Sequence, residues 1–417
     1  MGTYDVYNVF IIFIFVILGD YTVINEKMRS LGAKRSVIRE LFEYGKRRKA
    51  EIGEDNVYDF SLGNPSVPAP LMVEETLVRL IENENPISLH GYTSAQGDAS
   101  VRAAIADYVN KTYGERVSAD CFYMTMGAAG ALTTALTALV CPGEEVVVLT
   151  PYFPEYKVFI ERCGGVIRTV PTLSDTFMPD VSAIEAAINE RTAAVIINSP
   201  NNPTGVVYSE DSIVSLCKML REKEMELGKT IYLISDEPYR ELVYGGASVP
   251  FLTKYYDDTA VCYSFSKSLS LPGERIGYIL LCPRCKGFTE AYQAICGAGR
   301  ALGFVCAPSL LQRLVAECLG VTADIEVYGK NRRLLVDSLT EYGYEVVRPD
   351  GAFYLFIKAP LGDASEFCER AKKYEVLIVP SDDFGTGGYA RLSYCVRTEQ
   401  IVAALPALKA LIESYKV

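Results

Sequence analysis

Lys267 stands among four serines in YSFSKSLSLPGERIGY, residues 263–278, with Arg275 eight positions further on. A lysine acts as a nucleophile only after it loses its proton. With a reference pKa near 10.4, about one lysine in 2,500 is neutral at pH 7. A working Lys267 therefore needs desolvation or a neighbouring positive charge to lower that value, and Arg275 can supply the charge. Ser264, Ser266 and Arg275 also offer hydroxyl and guanidinium donors, a set that suits a phosphate dianion better than a carboxylate. Upstream, TMGAAGALTTAL (125–136) reads as a small-residue loop opening a helix, so that the free amides of Ala128 and Ala129 face any anion placed there. Asp236, in SDEPY (235–239), can keep a ring nitrogen protonated and so make the ring the electron sink that carbanion chemistry requires. A phosphate cradle, an imine-forming lysine and a buried acid together describe a pyridoxal 5'-phosphate (PLP) site.

Four apolar runs must position these groups: EEVVVLTP (144–151), TAAVIINSP (192–200), TIYLISDEP (230–238) and DTAVCYSFS (258–266). Each is rich in β-branched residues and reads as a strand buried on both faces. Helical stretches such as DVSAIEAAINE (180–190) and EDSIVSLCKMLREKEME (210–226) lie between them. The alternation predicts an α/β domain with a mostly parallel central sheet, whose ligands sit beyond the carboxyl ends of the strands. Those ends deliver Phe153, then Asn202 from SPNNPTG, then Asp236 and Tyr239, then Ser264, Ser266 and Lys267. After about residue 305 the pattern changes to long helical runs followed by YEVVRP, AFYLFIKAP, YEVLIVPS and ARLSYCV, a smaller α+β unit, and the amphipathic stretch near residues 30–50 is expected to join it.

From about residue 55 to the C-terminus the chain resembles the fold type I PLP-dependent aminotransferases of class I/II, the aspartate aminotransferase superfamily. The motifs that carry the resemblance arrive in the family's order: FSLGNPSVPAP (60–70), HGYTSAQGDASVRAAIADY (90–108), PYFPEY, SPNNPTG, SDEPYREL, SFSKSLSLPGERIGY, GAFY (351–354) and ARLSY. The resemblance implies a large PLP-binding domain over 61–305 and a small domain over 306–417, to which 26–60 contributes. It implies that Lys267 forms the Schiff base with the cofactor and shuttles the proton, that Asp236 pairs with the ring nitrogen, and that Tyr239 and Asn202 bond the phenolic oxygen. Phe153 would stack on the ring. Arg275, Ser264 and the amides of Ala128 and Ala129 would hold the phosphate, joined by Tyr92 from a neighbouring subunit, which implies a homodimer with shared sites. Arg391 would clamp the substrate α-carboxylate, with Asn202 and Gly63 beside it. The implied reaction moves the amino group of an L-amino acid to a 2-oxo acid, with 2-oxoglutarate the default acceptor. A PLP-dependent C–S β-lyase on the same fold is the alternative. Two positions depart from the family's usual pattern: the phosphate loop reads Gly-Ala-Ala, and Asn64 stands where many relatives carry an acid.

Composition removes other classes. A net charge of −11 argues against a nucleic-acid surface, and KRRK (46–49) reads as a solvated helix face. With roughly 55 residues ahead of the resemblance, a DNA-binding domain is not expected there. His90 is the only histidine and the single CxxC, CPRC (282–285), lacks a second ligand pair, so no metal site is expected. A structural role is expected of His90, and Arg300 is a candidate receptor for a distal carboxylate that nothing in the sequence places. Twelve irregularly spaced cysteines fit a reducing, cytoplasmic compartment. The ten apolar residues Val9–Leu18 are half of the roughly 20 that span a bilayer, so residues 1–25 read as an apolar arm or a non-native extension and the membrane is not an expected partner.

Overall fold

The computed structural model describes residues 24–33 and 37–416. The apolar run Val9–Leu18, with the expectation attached to it, lies outside them.

Seven strands form the larger sheet: β1 (Phe122–Thr125), β2 (Glu145–Thr150), β3 (Val166–Pro171), β4 (Thr192–Asn198), β5 (Tyr232–Asp236), β6 (Thr259–Ser264) and β7 (Gly277–Leu281). Their spatial order is β1-β7-β6-β5-β4-β2-β3. Every pair is parallel except those of β7, which runs antiparallel to β1 and β6. This is the mostly parallel α/β sheet that the alternating pattern predicts. Every residue of β4 and β6 is buried, as strands covered by helices on both faces require. Helix Gly127–Leu139 covers one face, packing Leu132 and Leu136 against Val146, Val148, Ile196 and Ile234. On the other face Leu216 and Leu220 of helix Glu210–Leu227 meet Val147, Val195 and Leu233. Each such side chain contributes about 1.5–3 kcal/mol when fully buried. Ser209 caps the start of helix Glu210–Leu227 by accepting from the amide of Ser212, and Gly228 ends it at φ 64°.

A second, four-stranded antiparallel sheet contains β8 (Val346–Val347), β9 (Tyr354–Lys358), β10 (Val379–Pro380) and β11 (Tyr389–Ser393) in the order β10-β11-β9-β8. Helices Glu326–Tyr342 and Thr398–Glu413 close it with a core that includes Leu335, Leu339, Leu355, Leu392 and Leu408. Helix Val37–Ile52 joins this unit through Leu41, which packs with Leu377, Val379 and Phe384. KRRK lies on that helix as a face of ion pairs: Arg48 with Glu51 and Glu375, and Lys49 with Asp59.

The order of the larger sheet is what assembles a site. Strands β6, β5, β4 and β2 are consecutive neighbours, about 4.8 Å apart, and point the same way. Their carboxyl ends therefore lie in a row. Register aligns them further: Asn198 faces Asp236, and Asp236 faces Cys262.

Candidate active site

A cavity of about 270 Å³ opens at those strand ends. Its anion-binding end is built by the antiparallel strand β7. Gly277 pairs with Thr125 on one side and Ser264 on the other, which draws β1, β6 and the turn before β7 together. A Cβ at Gly277 would collide with the carbonyl of Tyr263 and lie 3.1 Å from Gly127 Cα, so only glycine permits this approach. Gly127, at φ 73°, opens helix Gly127–Leu139, and a Cβ there would sit 3.0 Å from Arg275 Nη2. Met126 makes no side-chain cap, so the first-turn amides keep their hydrogen-bonding capacity beside the Arg275 guanidinium, and Ala128 and Ala129 line the cavity. Ser264 Oγ accepts from the amide of Ser266 at 3.1 Å, and the two hydroxyls lie 2.7 Å apart. Arg275 Nη1 reaches Ser266 Oγ at 3.5 Å. Amides, two hydroxyls and one guanidinium thus converge on the requirement of a phosphate.

The acid lies deeper. Asp236 is buried, and burial pushes its carboxyl up to about 7 while a hydrogen bond from Tyr156 opposes that rise. Tyr156 donates to Oδ2; Oδ1 is buried with no partner among the described residues, which in a folded core calls for a donor. Asn198 steadies the peptide, donating from Nδ2 to the Asp236 carbonyl at 2.8 Å and accepting from the Asn202 amide at 2.7 Å. Phe153 lines the cavity and meets Tyr156 edge to face at 5.7 Å. Tyr239 shares a 3.0 Å hydrogen bond with Tyr354, and burial raises its phenol well above the ordinary value.

Lys267 follows Ser264 on the short turn Phe265–Ser268 and donates to the Gly63 carbonyl at 2.8 Å. Burial brings its pKa down to about 8, and the positive charges of Arg275 and Arg391 push the same way. Desolvation is the larger cause.

Arg391, on β11, closes the opposite end. It is buried, with Nη1 donating to Asn202 Oδ1 at 3.0 Å and Nη2 to the Ser61 carbonyl at 2.6 Å. Nε has no partner, and among the described residues no carboxylate pairs with the guanidinium. Burial lowers its pKa, so a ligand carboxylate would find a cation short of counter-charge.

Lys267, Asp236, Tyr239, Asn202, Phe153, Ser264, Arg275, Arg391, Gly63, Ala128 and Ala129 therefore surround one cavity. Tyr92 does not: it is 100% exposed. His90, at the end of helix Pro86–His90, and Arg300, on helix Phe288–Leu302, are also exposed and lie outside it. Tyr156, Asn198, Tyr354 and Ile38 belong to the site without having been singled out. Tyr156 stands three residues after Phe153, a helical spacing that could have drawn attention to it; Asn198 is simply the last residue of its strand. Ile38 comes from helix Val37–Ile52, and nothing local in the sequence connects it to the strand ends.

These features fit PLP: an unpartnered acid oxygen for a ring nitrogen, an aromatic ring beside it, a lysine of lowered pKa and an amide-rich anion cradle. Comparison with known proteins agrees. The family described as aminotransferase class I and II matches residues 55–408. An aspartate aminotransferase of Thermotoga maritima is 31% identical over 385 residues, covering 90% of this chain and 97% of that protein. An aspartate/prephenate aminotransferase of Thermus thermophilus is 30% identical over 354 residues, 82% of this chain and 88% of that one. A solved amino transferase structure from Eubacterium rectale has a TM-score of 0.93 at 53% identity, covering 95% of this chain and 100% of that chain.

Proposed function

Because the chain belongs to the class I and II aminotransferases and is a PLP-dependent transaminase, we propose that the cavity residues divide its reaction as follows. Lys267 Nζ would be the amine that holds the cofactor and, once released, the group that carries the substrate's α-proton. Asp236 would pair with the ring nitrogen, and Tyr239 and Asn202 would bond the phenolic oxygen. The helix amides at Ala128 and Ala129, with Ser264 and Arg275, would hold the phosphate, and Phe153 would stack on the ring. Bound there, PLP supplies the electron sink that makes loss of the α-proton feasible. Arg391 receives the α-carboxylate while Asn202 fixes the guanidinium and Gly63 leaves room beside it. The observation that carries this division is that Arg391, a buried guanidinium with no carboxylate partner among the described residues, lines the same cavity as Asp236, whose Oδ1 has no hydrogen-bond partner among them.

The acceptor in this proposal is 2-oxoglutarate, and the relatives' names make aspartate the first donor to try. The test is a coupled assay of PLP-loaded protein with aspartate and 2-oxoglutarate. Formation of oxaloacetate and glutamate in equal amounts supports it; turnover of other donors with aspartate inert removes that substrate.

The working unit in this proposal is a homodimer. Tyr92 at 100% exposure and Ile87 at 85% lie on one short stretch, which suits an apolar and aromatic surface covered by a second copy. If Tyr92 reaches the partner's phosphate, mixing Tyr92→Ala with Lys267→Ala protein rebuilds one complete site per mixed dimer. Activity should then rise to roughly a quarter of wild type on statistical mixing; no rise above the separate variants rejects the shared site. Residues 61–305 and 306–417, the latter with 26–60, are proposed as the large and small domains. The cytoplasm is the proposed compartment, in keeping with twelve free cysteines. Among the described residues no helix is long and apolar enough to cross a membrane, and no cluster of His, Cys, Asp and Glu could hold a metal ion.

A further inference from the structure

Asp236 has two oxygens in two different situations. Oδ1 is buried without a partner among the described residues, while Oδ2 accepts from the hydroxyl of Tyr156. Tyr156 is itself fully buried on helix Glu155–Arg162, and among the described residues Asp236 is the only hydrogen-bond partner of its hydroxyl. Its ring is held edge to face by Phe153 at 5.7 Å and lies nearly parallel to Tyr152 at 6.4 Å, so the hydroxyl has little freedom to swing away. A carboxylate in that position needs a donor on each oxygen to stay both ionised and aimed.

We propose that Tyr156 is a positioning residue for the reaction, holding Oδ2 so that Asp236 stays ionised with Oδ1 directed at the cofactor's ring nitrogen. The inference rests on the pairing of Asp236 with that nitrogen proposed above. A phenol suits the task because it donates without bringing charge. Burial and the neighbouring Asp236 keep the Tyr156 phenol far above its ordinary pKa, so it remains a donor throughout the working range. Its hydrogen bond also opposes the rise that burial imposes on Asp236. A cation at the same place would pair with the carboxylate and weaken its hold on a protonated ring.

The test uses Tyr156→Phe, which keeps the ring and removes one oxygen, and Tyr156→His, which restores a donor. Binding of two cofactors to the apoproteins is followed by absorbance from pH 5.5 to 8.5: PLP, and its analogue with carbon in place of the ring nitrogen. For Tyr156→Phe the dissociation constant of PLP at pH 7 should rise about tenfold and the acid limb of binding should move up by about one pH unit, while the analogue binds as it does to wild type. Tyr156→His should recover PLP affinity toward pH 8.5, where a neutral imidazole donates, and not at pH 5.5, where the ring is a cation. Equal weakening of both cofactors means that the hydroxyl only supports packing, and unchanged PLP binding means that it does nothing for Asp236; either overturns the inference. If wild type itself binds both cofactors with one pH profile and Asp236→Asn matches it, the Asp236 pairing fails and takes the inference with it. Melting of the apo variants excludes misfolding as the cause.

Discussion

Replacing Arg391 by methionine should remove most of the activity and little of the apoprotein's stability. The guanidinium uses two of its five N–H donors, one on Asn202 Oδ1 and one on the Ser61 carbonyl. Nε is left buried without a partner and no carboxylate balances the charge among the described residues. In the folded apoprotein, the benefit of deleting an uncompensated buried cation is set against the loss of two hydrogen bonds worth about 1–3 kcal/mol each. These terms are of similar size, so stability in urea should change by less than about 2 kcal/mol. Substrate is another matter. Two charge-assisted bonds to an α-carboxylate are worth about 3–6 kcal/mol together, or roughly 10²–10⁴ in kcat/KM at 1.36 kcal/mol per factor of ten. Arg391→Lys keeps the charge and loses the fork, for about 10–100-fold. The assay compares single-turnover rates for an amino acid and for the amine that lacks its carboxylate. A loss below tenfold for the amino acid, or an equal loss for the amine, would refute the assignment of Arg391.

Three further outcomes follow from the same cavity. Asp236, with its carboxyl raised to about 7, binds its proton more tightly in the folded apoprotein than unfolded, so that contribution is present below about pH 4 and lost as pH rises to 7. Apo Asp236→Asn should therefore match wild type near pH 4 in urea unfolding and exceed it at pH 8 by up to about 4 kcal/mol; a gap independent of pH contradicts this. Lys267, brought down to about 8, should give a PLP loading rate that rises with pH and levels off above about 8, whereas a midpoint near 10 would mean an ordinary lysine. Gly63→Ala places a methyl against the Tyr354 hydroxyl and 3.0 Å from Phe353 Cε2, and should cost about 1–3 kcal/mol of stability along with activity; wild-type melting and turnover would show that the loop yields freely.

The parts of this molecule that were legible beforehand are those in which one short segment carries both an element and its chemistry. The runs ending in Asn198, Asp236 and Ser264 announce buried strands and carry polar residues at their ends, so a parallel sheet puts those residues together without further information. Strand β3 gave no such signal, because an edge strand with only Val170 buried has no apolar run to read. Strand β7 was equally silent about its direction, yet its antiparallel pairing is what brings Arg275 to the helix terminus. Tyr156 and Ile38 were missed for a related reason: one acts through a contact across 80 residues, and the other arrives from a helix that belongs with the second sheet. The place of Arg391 was legible only through the family resemblance, since a lone arginine on a strand usually means a surface pair.

The most direct test of the whole account is a half-reaction. Purified protein is loaded with PLP, freed of excess cofactor, and mixed with single amino acids while its near-visible spectrum and its products are followed. The account predicts that donors convert the bound cofactor to its amine form, releasing one 2-oxo acid per site and no ammonia, and that Lys267→Ala does this more than about 10³-fold more slowly. Release of ammonia and pyruvate from a cysteine conjugate without conversion of the cofactor, or an unchanged spectrum with every common amino acid, would contradict it.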